Sequence, residues 1–247
     1  TMTAVNQASP GASVTVGAGT FAEQLTINKD LTLTGAGSAS TFVQPTTLTA
    51  DASGMRSIVT IGGGADVEVS GFTFRGPVPE INAGIFVRDG AFAHIHHNAL
   101  VDIRESVALS GVQRGVGIFV GRASVVTSGS ALVENNTITG YQKGGIVVDG
   151  PGSSATVQNN TVTGEGPTGV IAQNGIQVSR GASATITGNT VSGNNYTGPD
   201  DAMGILIFTP GANLGQGSIA VGPNNVSGNE VGVWTNDPAT LTNISLS

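Results

Sequence analysis

A glycine followed by a short alternating apolar run recurs along the chain: GIFV from Gly84, GIFV from Gly117, GIVV from Gly145, GIQV from Gly175, GILI from Gly204 and GVWT from Gly232. The intervals between these glycines are 33, 28, 30, 29 and 28 residues. Five units also carry an asparagine, at Asn98, Asn136, Asn160, Asn189 and Asn224. The distance from glycine to asparagine is 14 or 15 residues in three units and 19 or 20 in those beginning at Gly117 and Gly204; in these two, the stretch from asparagine to the next glycine shrinks to 9 and 8. One corner grows where another contracts and the period is held, as a coil of fixed circumference requires. Each unit holds a GIxV strand, a second strand such as AHIH (93–96), ATVQ (155–158) or ATIT (184–187), and a third such as NTVTG (160–164). Apolar residues alternate throughout and no helical period occurs, so the pattern predicts a single-stranded parallel β-helix of about 8–9 coils. No coil can bury its apolar face alone; stacked coils do so together. IVTI (58–61) and ADVEVSGFTF (65–74) continue the period N-terminally, and residues 1–247 read as one solenoid domain.

The composition suits short strands and tight turns. Glycine numbers 38, charged residues make up only 10% of the chain, and 38% of residues are apolar. Apolar residues in register with Thr, Ser and Asn separate this chain from a disordered one. A net charge of −7, with Lys29 and Lys143 the only lysines, argues against a nucleic-acid partner. No apolar run is long enough to cross a bilayer, so membrane insertion is not expected. The absence of cysteine rules out disulfides and thiolate ligands. It fits a secreted bacterial protein, and the expected location is extracellular or at the cell surface. No signal-peptide pattern precedes Thr1, which reads as the start of a mature or trimmed form.

This organisation resembles the right-handed parallel β-helix of the pectin-lyase-like superfamily over nearly the whole chain. The opening, VTVGAGTFAEQLTINKDLTLTGAG (14–37), is similar to the first coils of pectin methylesterases, with Gly19, Phe21 and Glu23 in a GxYxE-like turn. The family's catalytic segments do not follow. QDTL-like, DFIFG-like and DPH motifs are absent, and only Asp200-Asp201 stands where a polygalacturonase would carry paired carboxylates. Adjacent residues on a strand point oppositely, so the pair reads as two solvated loop carboxylates.

Alternation fixes the faces of the GIxV strands. Stacking them predicts an outward column of Thr60, Phe86, Phe119, Val147, Gln177, Leu206 and Trp234, followed by a second column of Arg88, Arg122, Asp149, Arg180, Phe208 and Asn236. Exposed aromatic rings in a row mark an interface, and rings beside Arg and Asp suit a sugar. The resemblance carries over a saccharide cleft formed by this sheet and the loops before it. The expected binding residues are Phe86, Arg88, Phe119, Asp149, Arg180 and Trp234, with Tyr141 and Tyr196 from the loops. The alternative is a long loop that covers the rings and extends the core.

On the second strand, alignment of ADVEV with AHIHH at an offset of 28 places Asp66 beside His94 and Glu68 beside His96, with Glu134 next to His96. These groups form either a charge ladder between strands or a site for a divalent metal such as zinc. The asparagine column predicts an asparagine ladder at one corner, the side chains satisfying backbone groups hidden from water. That corner also accounts for the formal glycosylation sequons at Asn135 and Asn159.

Three functions remain open. The first is an extracellular non-catalytic polysaccharide-binding or adhesive module. The second is a polysaccharide lyase or glycoside hydrolase acting on an acidic polysaccharide, with Ca2+ held by Asp149, Asp200 and Asp201 and Lys143 or an arginine as base. The third is a structural spacer of a larger surface or tail protein.

Overall fold

The computed structural model describes residues 1–208 and 217–236. Three parallel eight-stranded sheets run along it, each strand hydrogen-bonded to its counterpart in the next coil. Sheet I collects the GIxV strands, from Leu25–Ile27 through Ala83–Val87, Val116–Val120, Gly144–Asp149, Asn174–Ser179 and Met203–Phe208 to Val231–Thr235. Sheet II contains Asp66–Ser70, Phe92–His96, Ser130–Glu134 and Ser154–Gln158, and sheet III contains Ala99–Val101, Thr137–Thr139, Thr161–Thr168 and Thr190–Tyr196. The fold is the expected right-handed parallel β-helix, with about eight coils rising roughly 4.8 Å each.

Alternation builds the core. Ile85, Val87, Ala93, Ile95 and Leu100 point inward from one coil and are fully buried, and the same positions in the coils above and below extend one continuous apolar cluster. Each buried aliphatic side chain contributes about 1.5–3 kcal/mol. At the N-terminal end the short helix Met2–Gln7 caps the stack, burying Val5. The repeated glycine of GIxV has a steric cause. A Cβ on Gly117 would lie 2.5 Å from the Gly145 carbonyl oxygen, and one on Gly145 would lie 2.5 Å from that of Gly175. Neighbouring coils approach too closely there for any side chain.

The corner between sheets II and III explains the Asn-Asn pairs. Its first residue adopts the left-handed backbone, with φ of 52° at His97, 54° at Asn135 and 56° at Asn159, a region asparagine tolerates well. The second residue is buried. The Asn160 amide donates to Val133 O (2.9 Å), Gln158 O (3.0 Å) and Asn189 Oδ1 (3.0 Å), and its Oδ1 accepts from Asn136 N (3.0 Å) and Nδ2 (3.0 Å). The same pattern joins Asn98 to Asn136 and Asn189 to Asn224. One coil earlier Phe72 occupies the position, its N–H donating to Asn98 Oδ1 (3.0 Å).

Candidate functional site

The outward column of sheet I has the expected register: Thr60 lies beside Phe86, and Phe119, Val147, Gln177, Leu206 and Trp234 follow in order. Its exposure is not uniform. Phe86 is fully buried because Met55, from the loop ahead of strand Ser57–Ile61, packs over it together with Ala83. Phe119, 6.0 Å from Phe86 between ring centroids, is half-buried. Phe86 is therefore covered core and unavailable to a ligand. Arg88 belongs to the same closed end: it pairs with Asp51 and with Asp89 (Nε–Oδ2 2.8 Å) and lies over the Phe86 ring.

Past Val147, which is itself buried, the column is half-exposed at Gln177 and Leu206. A cavity of about 300 Å³ lies over Phe119, Val147 and Gln177, walled by Arg122, Lys143 and Arg180. A second cavity of about 420 Å³ lies over Leu206 and is lined by Asn174, Tyr196, Asp200 and Asp201. Both include Gln113 and Lys143, so they adjoin as one groove along the sheet. From the Phe119 strand to the Leu206 strand is three coils, roughly 14 Å. Two stretches of equal length, 164–176 and 193–205, form one wall and pair with each other, Gly166 with Asn194 and Thr168 with Tyr196.

The cations are held by identifiable contacts. Asp149 is fully buried beneath the groove, where Oδ1 accepts from Ser179 Oγ (2.6 Å) and Arg180 Nη1 (2.9 Å) and Oδ2 accepts from Ala123 N (2.9 Å). Both oxygens are engaged, so Asp149 positions Arg180 rather than meeting a ligand or sharing Ca2+ with Asp200. Arg122 lies 5.7 Å from the Phe119 ring centroid and donates to Met55 Sδ. Burial lowers its pKa, offset in part by Asp149. Lys143 donates to Ala172 O (2.6 Å); burial pushes its ammonium pKa down, and Asp200 pulls partly the other way. Asn174, itself buried, donates to Gln177 (3.2 Å) and leaves its Oδ1 buried without a protein partner.

Several expected positions differ. Arg122 and Arg180 are not in the second outward column: Asp149 pairs with Ser179 and Ser179 with Phe208, which leaves Arg180 one residue beyond, at φ 55°. Arg122 opens a bend that contains the 3-10 turn Ala123–Val125. Both reach the groove from the corner. Tyr141 is fully buried, its hydroxyl donating to Asn194 Oδ1 (2.5 Å), and cannot contact a ligand. Asp200 and Asp201 do lie in a loop as expected, and both line the same cavity. Trp234 is 36% exposed, stands beside Phe208 and lies one coil past the groove. Gln113 and Asn174 were not singled out in the sequence, since neither is aromatic, charged or in the outward column.

On sheet II the true offset is 26. Glu68 pairs in register with His94, Asp66 with Phe92, and His96 with Ser70 and Glu134. Asp66 is thus away from the histidines, because Gly71-Phe72 occupies the corner that His97-Asn98 fills one coil later. The side chains cross the register diagonally: His96 Nε2 contacts Glu68 Oε1 (2.9 Å) and His94 Nε2 contacts Glu134 Oε1 (2.8 Å).

The sequence model of the right-handed beta helix region matches residues 57–245. No curated protein matches the chain. Among solved structures, a pectin methylesterase from carrot is similar with a TM-score of 0.54 at 10% identity, over 100% of this chain and 77% of its own. A pectin methylesterase from Aspergillus niger gives 0.41 at 13% identity, over 98% and 78%. An alginate lyase from Paenibacillus gives 0.39 at 13% identity, over 97% and 95%. At such identities the likeness to the carrot enzyme is one of fold. Among the described residues no helix is long and apolar enough to cross a membrane.

Proposed function

The chain belongs to the right-handed beta helix family, and from that premise we propose that it is an extracellular β-helix that binds an acidic polysaccharide in the groove over Phe119, Val147, Gln177 and Leu206. The observation that carries this reading is the convergence of Arg122, Lys143 and Arg180 on one cavity in a chain of net charge −7. Among the described residues neither Arg122 nor Lys143 has a carboxylate ion-pair partner, whereas five of the other arginines, Arg56, Arg88, Arg104, Arg114 and Arg180, do. A carboxylated ligand would supply the missing anion. Apolar floor residues suit the C–H face of a sugar ring. The carrot protein of similar fold is named for pectin, a polysaccharide, which agrees with a saccharide ligand.

A second reading, eliminative cleavage of the same polymer, is favoured by the lowered pKa of Lys143, which brings a groove amine closer to the range of a general base. Incubation with polygalacturonate, alginate and a neutral glucan separates the readings. Binding of the uronates, weakened about tenfold or more by Arg122→Ala, supports the groove. Growth of absorbance from unsaturated products assigns cleavage. Failure to bind any acidic polymer refutes both and leaves the spacer role. If Lys143 contributes as a cation, uronate affinity falls as pH rises, at a pH below the ordinary lysine range.

A further inference from the structure

We propose that the outer face of sheet II binds one zinc ion through His94, His96 and Glu68, with Glu134 as a fourth ligand or an outer partner. This site is on a different sheet from the groove and does not depend on it.

One ligand atom from each of Glu68, His94 and His96 already lies within 4.8 Å of the others. A tetrahedral zinc shell with bonds near 2.1 Å needs ligand atoms about 3.4 Å apart, a contraction that side-chain torsions can supply. The backbone beneath is fixed by register, since Glu68 lies beside His94 and Glu134 beside His96 on three consecutive strands. The donor set of imidazole and carboxylate suits zinc better than calcium or magnesium, which take oxygen.

The two imidazole rings stand 4.2 Å apart between centroids, close enough for each to present a nitrogen to one ion above the sheet. Glu68 and Glu134 have no Lys or Arg partner among the described residues, and together they supply the two negative charges a dication requires. His96 Nδ1 lies 2.8 Å from His97 Nδ1. With the proton on His96 Nδ1, that contact leaves the Nε2 lone pair free toward Glu68, as the hydrogen bond from the other ring nitrogen of a metal-bound imidazole commonly does. On the far side, Gln158 Nε2 donates to Glu134 Oε2 (2.7 Å) and holds that carboxylate in place.

The test is equilibrium dialysis of the whole chain against ZnCl2, with Co2+ absorption as a second readout of tetrahedral coordination. One equivalent is expected, lost in both His94→Ala and His96→Ala, with Glu68→Gln weakened about tenfold or more. Unchanged circular dichroism and urea midpoints in the variants show that loss of metal is not loss of fold. The proposal is overturned if the protein retains no zinc at equimolar metal. It is equally overturned if His94→Ala still binds one equivalent, or if Co2+ gives only an octahedral spectrum.

Discussion

Replacing Asn160 with alanine tests the corner that organises the stack. The Asn136 N–H lies outside any strand, is buried, and among the described residues donates only to Asn160 Oδ1. Removing that acceptor strands the donor at a cost of about 1–3 kcal/mol. Four further bonds through the Asn160 side chain are lost, each worth about 1 kcal/mol net and not fully additive. A loss of about 3–5 kcal/mol follows, a large share of the usual stability of a domain. Asn159 is the internal control. It is exposed and sits at φ 56°, so Asn159→Gly keeps the backbone and should change stability by less than about 0.5 kcal/mol. Urea unfolding followed by circular dichroism measures both. A drop in midpoint with unchanged slope is expected for Asn160→Ala. A cost below about 1 kcal/mol, or one matched by Asn159→Gly, would refute the argument that buried asparagines satisfy the corner.

Phe86→Ala should cost about 3–5 kcal/mol by leaving a cavity beneath Met55, while Phe119→Ala should cost less and weaken uronate binding; urea midpoints and affinity of the two variants decide it, and a near-neutral Phe86→Ala would mean the ring is not core. Burial alone would raise the Asp51 pKa, but bonds from Ser53, Met55 N–H and Arg88 outweigh it and hold it below the ordinary aspartate value. The carboxylate therefore stabilises the Met55 loop above that pH and loses the contribution as pH falls through its folded pKa; the protection of the amides of residues 51–55, taken relative to their intrinsic exchange rates, should fall in acid, and Asp51→Asn should flatten the dependence.

The repeat was legible because it has steric and polar causes that act in every coil. The collision at Gly117 and Gly145 permits only glycine, and the corner demands a left-handed residue followed by a buried amide. The outward column from Thr60 to Trp234 was legible for the same reason, since strand alternation leaves one choice of face. What covers that column was not, because Met55 reaches Phe86 from a loop outside the repeat. Residues just past a strand were harder still. Arg122 and Arg180 enter the groove from corners whose backbone departs from the extended form, and alternation says nothing there. Matching the alanines of ADVEV and AHIHH misplaced Asp66, whereas matching Phe72 to Asn98 at the corner gives the true offset of 26. Corners rather than strands set the register between coils, because a strand tolerates a two-residue slip without changing which face is apolar. That slip moves outward side chains by two positions, and it decides whether Glu68 or Asp66 lies opposite His94. The chemistry of a solenoid surface thus depends on the element its repeat constrains least.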